Sequence, residues 1–579
     1  MRIIFLLLCC LLPWQAMAEP TGWSHALTLF GKAKYPAYFR QFEYVNPQAP
    51  KGGELKLAHP ATFDSVNQFI LKGVKAPGVE MIYDTLMTGS LDEPQTYYPL
   101  IAQRYRRDVE AGWIEYELNP RARWHDGKPI TVEDVIWSLE TIKKEADPVY
   151  RLTFAPLEKA EQTAPRRVRF SFVKPATREA PLLSAILPIL PKHYYATVPF
   201  NKTTLQPPLA SGAYKIGKVD AGRTIVLQRV PDYWAKDLPV NRGRFNFDRI
   251  RYDVYRDATV ALQALKAGEY DFRQENVARN WATAYDTPAI RDGRLIKTEF
   301  PNALPQGMQA FFYNLRKPIF RDRRVREAIA LTLDYEWVNR TMFYSAYKRN
   351  KSFFQYTPFA AKGLPEKGDE LTLLAAFAHR LPKELFEQPF QIPETDGSGR
   401  DRSNLLRAQA LLDAAGYKIV EGRRVDQQTM QRVISPMQKG LKRLGIDSAI
   451  RFVDDAQYQR RVETRDFDII SGWYNYGVHF PGVEQANFWH SSQADIEGSS
   501  NVSGLKHPAA DAAIEDIMNA HTLEELAPAA RALDRVLLWE HIVIPHWHND
   551  SYRVAYWNKF GIPKTHPPYG LGLETWWIK

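Results

Sequence analysis

Residues Leu537–Asp550 read LLWEHIVIPHWHND, and two different architectures hang on this stretch. Three histidines, His541, His546 and His548, fall within eight residues. Histidine is both the commonest metal ligand and the commonest proton carrier near neutral pH. On a strand, His546 and His548 would share one face, where two imidazoles and a third ligand could hold zinc. That reading makes a zinc-dependent hydrolase. Against it, His541 has the opposite parity, Pro545 intervenes, and Trp539, Trp547 and Tyr552 crowd the neighbourhood. A hydrolase also needs a base or nucleophile, and no residue pattern nominates one. The stretch therefore reads as a helix end followed by a strand, its histidines packed among aromatics or lining a cavity.

Working outward, the 579-residue chain opens with MRIIFLLLCCLLPWQAMAEP. A positive Arg2, an apolar run from Ile3 to Leu12 and the small-residue signal Ala16-Met17-Ala18 predict a cleavable secretory leader over residues 1–18. The only two cysteines, Cys9 and Cys10, would leave with it. An exported chain without disulfides must draw its stability from core packing. Cleavage lowers the formal net charge from +10 to +9, since Arg2 is the only charged residue lost. Lys and Arg are mixed with acids throughout, so nucleic acid is not an expected partner. No later stretch approaches the ~18 uninterrupted apolar residues of a membrane span.

Elements alternate along the rest. KGGELKLA (51–58), WIEYELNP (113–120) and RVRFSFVKP (167–175) read as strands. Thr131, with Asp134 three residues on, caps a helix whose apolar face is Val132, Val135, Ile136, Leu139 and Ile142. His125-Asp126-Gly127 reads as a hairpin turn. Residues 211–234 form a hairpin with its tip at Asp220-Ala221-Gly222. DATVALQALKAGEYDF (257–272) is a helix with apolar positions Val260, Leu262 and Leu265, stopped by Gly268. MQAFFYNL (308–315) is a strand, and FRDRRVREAIALTLDYEWVNR (320–340) a helix. Residues 349–404 are loop-rich; within them, 396–401 fails as a calcium loop because Arg400 takes the fifth position. A helix ends at Gly416, another ends before Gly445 and leads into a strand, FDIISGWYNYG (467–477) is a strand, and two more helices precede the opening stretch. The fold class is α/β, or mixed α+β. There is no P-loop, no dinucleotide-binding glycine motif, no nucleophile elbow and no HExxH.

FRDRRVREAIALTLD carries Phe320, Asp322, Arg324, Val325, Arg326 and Ala328 in the F-x-D-x-R-V-R-x-A pattern of the family 5 extracellular solute-binding proteins of peptide and nickel ABC importers. MIYDTLMTGSLDEPQTYYPLIAQRY, ARWHDGKPITVEDVIWSLE, SGAYKI…GRTIVLQRVPDYW and ALKAGEYDF resemble the same family in the same order. The stretches HALTLFGKAKYPAYFRQFEYVNPQAPKGGELKLA, KELFEQPFQIPETDGSGRDRSNLLRAQALLDAAGY and ALDRVLLWEHIVIPHWHNDSYRVAYWNKFG resemble the Yej-type, microcin C-related subgroup. The resemblance covers essentially the whole chain after the leader.

The resemblance implies a periplasmic two-lobe binding protein with a ligand cleft between lobes that close by a hinge. It divides the chain into a first lobe at 19–305 with a subdomain at roughly 61–205, a second lobe at 306–544, and a C-terminal return to the first lobe at 545–579. The implied ligand is an oligopeptide or peptide-like conjugate, and the implied partners are the membrane permease and ATPase subunits of an ABC importer. A monomer without cofactor, metal or catalysis is expected. Expected ligand contacts are Phe63, Asp64 and Asn67 from the first lobe, Trp473, Tyr474, Asn475 and Tyr476 from the second, and His546, Trp547 and His548 from the crossing strand. In related peptide binders an acidic residue holds the ligand amine; here Asn475 stands in that position, and an amide cannot make the charge-assisted pair. The segment near 421–436 is shorter than the subgroup pattern, which keeps open a degenerate relative acting as a sensor or chaperone.

Overall fold

A computed structural model describes residues 22–108, 110–417, 429–474 and 479–579. The expected leader, Asn475, Tyr476 and residues 421–428 of the shortened segment lie outside the described residues.

The first lobe is organised by a seven-stranded sheet. Its spatial order is Leu295–Pro301, Ser551–Trp557, Phe272–Gln274, Glu54–His59, Arg249–Val254, Thr224–Arg229 and Tyr214–Asp220. Glu54–His59 runs parallel to both of its neighbours. Ser551–Trp557 inserts antiparallel between two earlier strands, so the tail of the chain completes this sheet. A separate four-stranded sheet, Ala102–Asp108, Trp113–Leu118, Arg167–Phe172 and Leu157–Ala164, carries the helix Val132–Glu145 on one face. That helix has the expected cap: Thr131 Oγ1 accepts from Asp134 N–H at 3.2 Å, and Asp134 Oδ2 accepts from Thr131 N–H at 2.9 Å. Such a cap is worth about 1 kcal/mol.

The second lobe centres on the strand Met308–Tyr313, flanked antiparallel by Ile469–Tyr474 and Val543–Pro545. Its period of two serves two cores at once. Met308, Ala310 and Phe312 face the core around the helices Pro508–Asn519 and Leu523–Trp539, whereas Phe311 and Tyr313 face the core around Arg323–Ala330. The long helix also carries buried polar groups. Asp534 accepts from Ser352 Oγ at 2.7 Å and from the N–H groups of Phe353 and Ala361 at 2.8 Å each. Arg535 pairs with Glu370 at 2.5 Å, both side chains almost fully buried. Together they fasten the 352–370 loop to the helix. Burial pushes the Asp534 carboxyl up to about 6, against its three donors.

Four expectations need correction. The 320–340 helix is two helices, Arg323–Ala330 and Tyr335–Met342. Asp334 caps the second by accepting from Trp337 N–H at 2.9 Å, the capping competition that Asp offers mid-run. The loop-rich stretch holds the helices Asp369–Ala376 and Glu384–Glu387. The strand expected after Gly445 does not form. A strand needs a partner, and among the described residues Ile469–Tyr474 pairs only with Met308–Tyr313; Phe452 is left exposed. On the 258–267 helix the buried face is Ala261, Leu262 and Leu265, with Val260 outside.

Asp534→Ala should lower stability by about 3 kcal/mol, because three buried donors lose their acceptor. Urea unfolding of the protein checks this, and a loss under about 1 kcal/mol would contradict the stapling role.

Candidate functional site

The opening stretch crosses between the lobes. Phe312↔Val543, Phe311↔Ile544 and Ala310↔Pro545 set its register on the central strand of the second lobe. His546 N–H then donates to Gln309 O at 2.8 Å, and Trp547–His548 pairs with Lys348–Arg349. Three residues later the chain enters the first-lobe sheet.

The three histidines do not converge. His541 takes a left-handed backbone conformation (φ 46°) and lies 3.7 Å from Glu327. Burial, and then Arg323, Arg326 and Arg407, hold its pKa down to about 3. The His546 ring is fully buried, edge-on to Phe311 at 4.1 Å and stacked on Trp547 at 4.9 Å. Neither of its nitrogens has a hydrogen-bond partner among the described residues. Burial, with Arg349 adding to it, holds it neutral to about pH 3. His548 spends both nitrogens, Nδ1 with Asn350 Oδ1 at 2.9 Å and Nε2 with the Tyr356 hydroxyl at 2.8 Å. Among the described residues no group of three His, Cys, Asp or Glu side chains could hold a metal: one ring is walled in by aromatics and the other is committed to two partners. Trp547 sits in a box of Tyr335, Phe343 and Tyr347, so this crossing strand is packed against aromatic rings.

The remaining expected contacts divide by burial. Trp473 is 65% exposed at the end of the edge strand, beside a cavity of about 270 Å³ lined by Phe312, Tyr458, Ile470 and Trp489. Its neighbour Tyr474 is buried, donates to Gln485 Oε1 at 2.7 Å and packs on Trp489. In the first lobe, Phe63 belongs to the core. Asn67 Nδ2 donates to Phe200 O at 2.6 Å and Lys202 O at 3.2 Å, which ties two loops together. Asp64 is exposed and accepts from Val74 N–H at 2.6 Å. Of the described candidates, Trp473 and Asp64 present side chains to solvent, while Phe63, Asn67, Tyr474, His546 and Trp547 hold the framework.

A contact that sequence reading missed lies just beyond Trp473. The stretch His479–Glu484 of the second lobe is clasped by the first. Arg178 donates to Ile517 O and Ala520 O at 2.9 Å each, and also to Pro481 O. The first two carbonyls end the helix Pro508–Asn519, where a cation meets the negative end of the helix dipole. Phe30 lies under the Arg178 guanidinium at 5.1 Å and meets Phe480 edge-on at 5.1 Å. Tyr569, from the C-terminal return, meets His479 at 4.4 Å. Gly482 lies close under two carboxylates: a Cβ there would stand 2.5 Å from Glu179 Oε1 and 3.1 Å from Glu484 Oε2, so both side chains would have to move aside. Burial, and also Glu179, push the Glu484 carboxyl upward. Arg178 and Glu179 stand in ATREAPLL, which has no periodicity or motif to single them out.

The unpaired, neutral His546 makes a prediction with a definite sign. Its folded pKa lies below the ordinary 6.5, so the unfolded chain takes up a proton that the folded chain refuses. It therefore withdraws stability as pH falls from about 6.5 toward 3. His546→Leu should be at least as stable as the parent at pH 7 and should gain on it as pH falls, by up to about 1.4 kcal/mol per pH unit. Melting curves from about pH 7 to about pH 4 check this; a parallel pair of curves would contradict it.

The family described as bacterial extracellular solute-binding proteins, family 5 Middle, matches residues 96–495. The uncharacterized protein YejA of Escherichia coli strain K12 is 40% identical, covering 99% of this chain and 96% of its own. The probable peptide-binding protein YejA of Agrobacterium fabrum is 38% identical, covering 98% and 96%. Among solved structures, the oligopeptide-binding protein AppA from Bacillus subtilis, in complex with a nonapeptide, aligns over 92% of this chain and all of its own with a TM-score of 0.63 at 19% identity, a likeness of fold. The strand crossing, the tail returning to the first sheet and these full-length matches agree, and the chain belongs to the family 5 bacterial extracellular solute-binding proteins.

Proposed function

We propose that this chain is the periplasmic capture component of an ABC importer, taking up oligopeptides or peptide-like conjugates of the microcin C type and presenting them to the membrane permease and its ATPase subunits. On this reading it is exported by the leader at residues 1–18 and acts as a monomer without catalysis. The observation that carries it is the exposed Trp473 standing directly before a second-lobe stretch clasped by Phe30, Arg178 and Tyr569 of the first lobe. A ligand held at Trp473 sits where closing the lobes makes or breaks that clasp. An exposed indole offers a stacking face to peptide side chains or to a base, at about 1–3 kcal/mol per stacked base. The relative named as a probable peptide-binding protein supports the ligand class. His546, Trp547 and His548 serve the reading as hinge packing, so the hinge is stiff and the clasp is the adjustable part. The three strands that frame Trp473 are present among the described residues.

Two outcomes are expected. A panel of short peptides should raise the melting temperature of the mature protein in a concentration-dependent way; an empty panel, together with no peptide co-purifying by mass spectrometry, would sink the peptide reading. Arg178→Ala removes a charged donor from three carbonyls and should weaken peptide binding about 10-fold or more through lost closure. Calorimetry checks it, and unchanged affinity would mean the clasp plays no part in capture.

A further inference from the structure

Three segments of the first lobe are knitted into one surface. The turn at 71–75 is pinned at its base: Asp64 and Ser65 N–H donate to Val74 O at 3.0 and 3.1 Å, and Val74 N–H donates to Asp64 Oδ1 at 2.6 Å. Thr203 Oγ1 donates to Lys72 O at 3.3 Å, which joins the 200–205 loop to it. Lys75 pairs with Asp147 at 3.5 Å, and Asp147 caps the short helix Pro148–Thr153. Phe69, Tyr150 and Phe200 pack beneath. Leu71 is 70% exposed, Val149 69% and Leu152 74%, with Val74 and Leu205 beside them. Scattered exposed apolar residues are ordinary, but a contiguous group is not.

Cations outnumber acids at the rim, where Glu80 is the acidic neighbour that acts on Tyr150. Asp64 is taken up by the turn and Asp147 by Lys75. Lys72, Arg151 and Lys202 are exposed and have no ion pair among the described residues. Protruding apolar side chains ringed by unneutralised cations match the boundary between acyl chains and anionic headgroups. We propose that this surface docks the protein on anionic phospholipid, with Leu71, Val149 and Leu152 entering the interface and Lys72, Arg151 and Lys202 meeting headgroup phosphates. The inference goes beyond the importer reading and stands or falls separately from it.

The probe is vesicles of phosphatidylethanolamine and phosphatidylglycerol in equal parts, against vesicles of phosphatidylcholine alone, with the mature protein. Sedimentation should show salt-sensitive binding to the anionic vesicles and little to the neutral ones. The pairs Leu71→Ser with Leu152→Ser, and Lys72→Glu with Lys202→Glu, should each lower partitioning roughly tenfold while melting temperature and peptide affinity stay unchanged. Binding to neither vesicle, or equal binding by parent and variants, overturns the proposal. So does a loss of peptide affinity in the variants, which would make the patch a lip of the ligand cleft. Unchanged vesicle binding with lost uptake in reconstituted importer would assign the patch to a protein partner and overturn it as well.

Discussion

Everything else in the molecule depends on the antiparallel pairing of Met308–Tyr313 with Val543–Pro545. The two strands are more than two hundred residues apart in sequence, and both lead directly into the first lobe. Because one strand serves two cores by alternation, the crossing cannot slip by a residue without turning Phe312 and Phe311 to the wrong sides. A fixed register here sets the position of Trp473, which pairs opposite Gln309. It also places Trp547 in its aromatic box. The crossing between the lobes is thus built from buried backbone ladders and rings.

Those outer contacts are of a different physical kind. The Arg178 clasp is made of one guanidinium, two aromatic rings and backbone carbonyls, with two carboxylates close beside Gly482. Such contacts are directional and only modestly stabilising in net terms. That suits an interface which must open: a fully apolar seam of the same extent would hold the lobes shut. The contrast with Asp534, Arg535 and Glu370, buried inside one lobe and saturated with partners, is instructive. The same residue types serve as permanent fasteners where water is excluded and as a releasable catch at the lobe boundary.

Much of this was legible in the sequence because the signals were local. Thr131 with Asp134, Gly268 and Gly416 act through their own turns, and the alternation in MQAFFYNL needs no distant partner to be read. The strand character of HIVIPHWH followed from the same reasoning. What failed was whatever depends on a neighbour. The stretch after Gly445 has apolar alternation at Ile450 and Phe452 but no strand to pair with. The 320–340 run hides a break because Asp334 can be a helix residue or a cap. Two imidazoles at a spacing of two say nothing about Tyr356 or Asn350, which claim one of them. Of the candidate site, Trp473 was visible as an aromatic cluster. Arg178, Glu179 and Glu484 were not, because a cross-lobe contact leaves no periodicity behind.

The central claim is that ligand at Trp473 and closure of the clasp are one event. Small-angle X-ray scattering of the mature protein, with and without a peptide shown to bind it, tests this most directly. The account predicts a smaller radius of gyration with peptide, and the Arg178→Ala protein should stay extended in its presence. A bound peptide that leaves the parent's radius unchanged would contradict it.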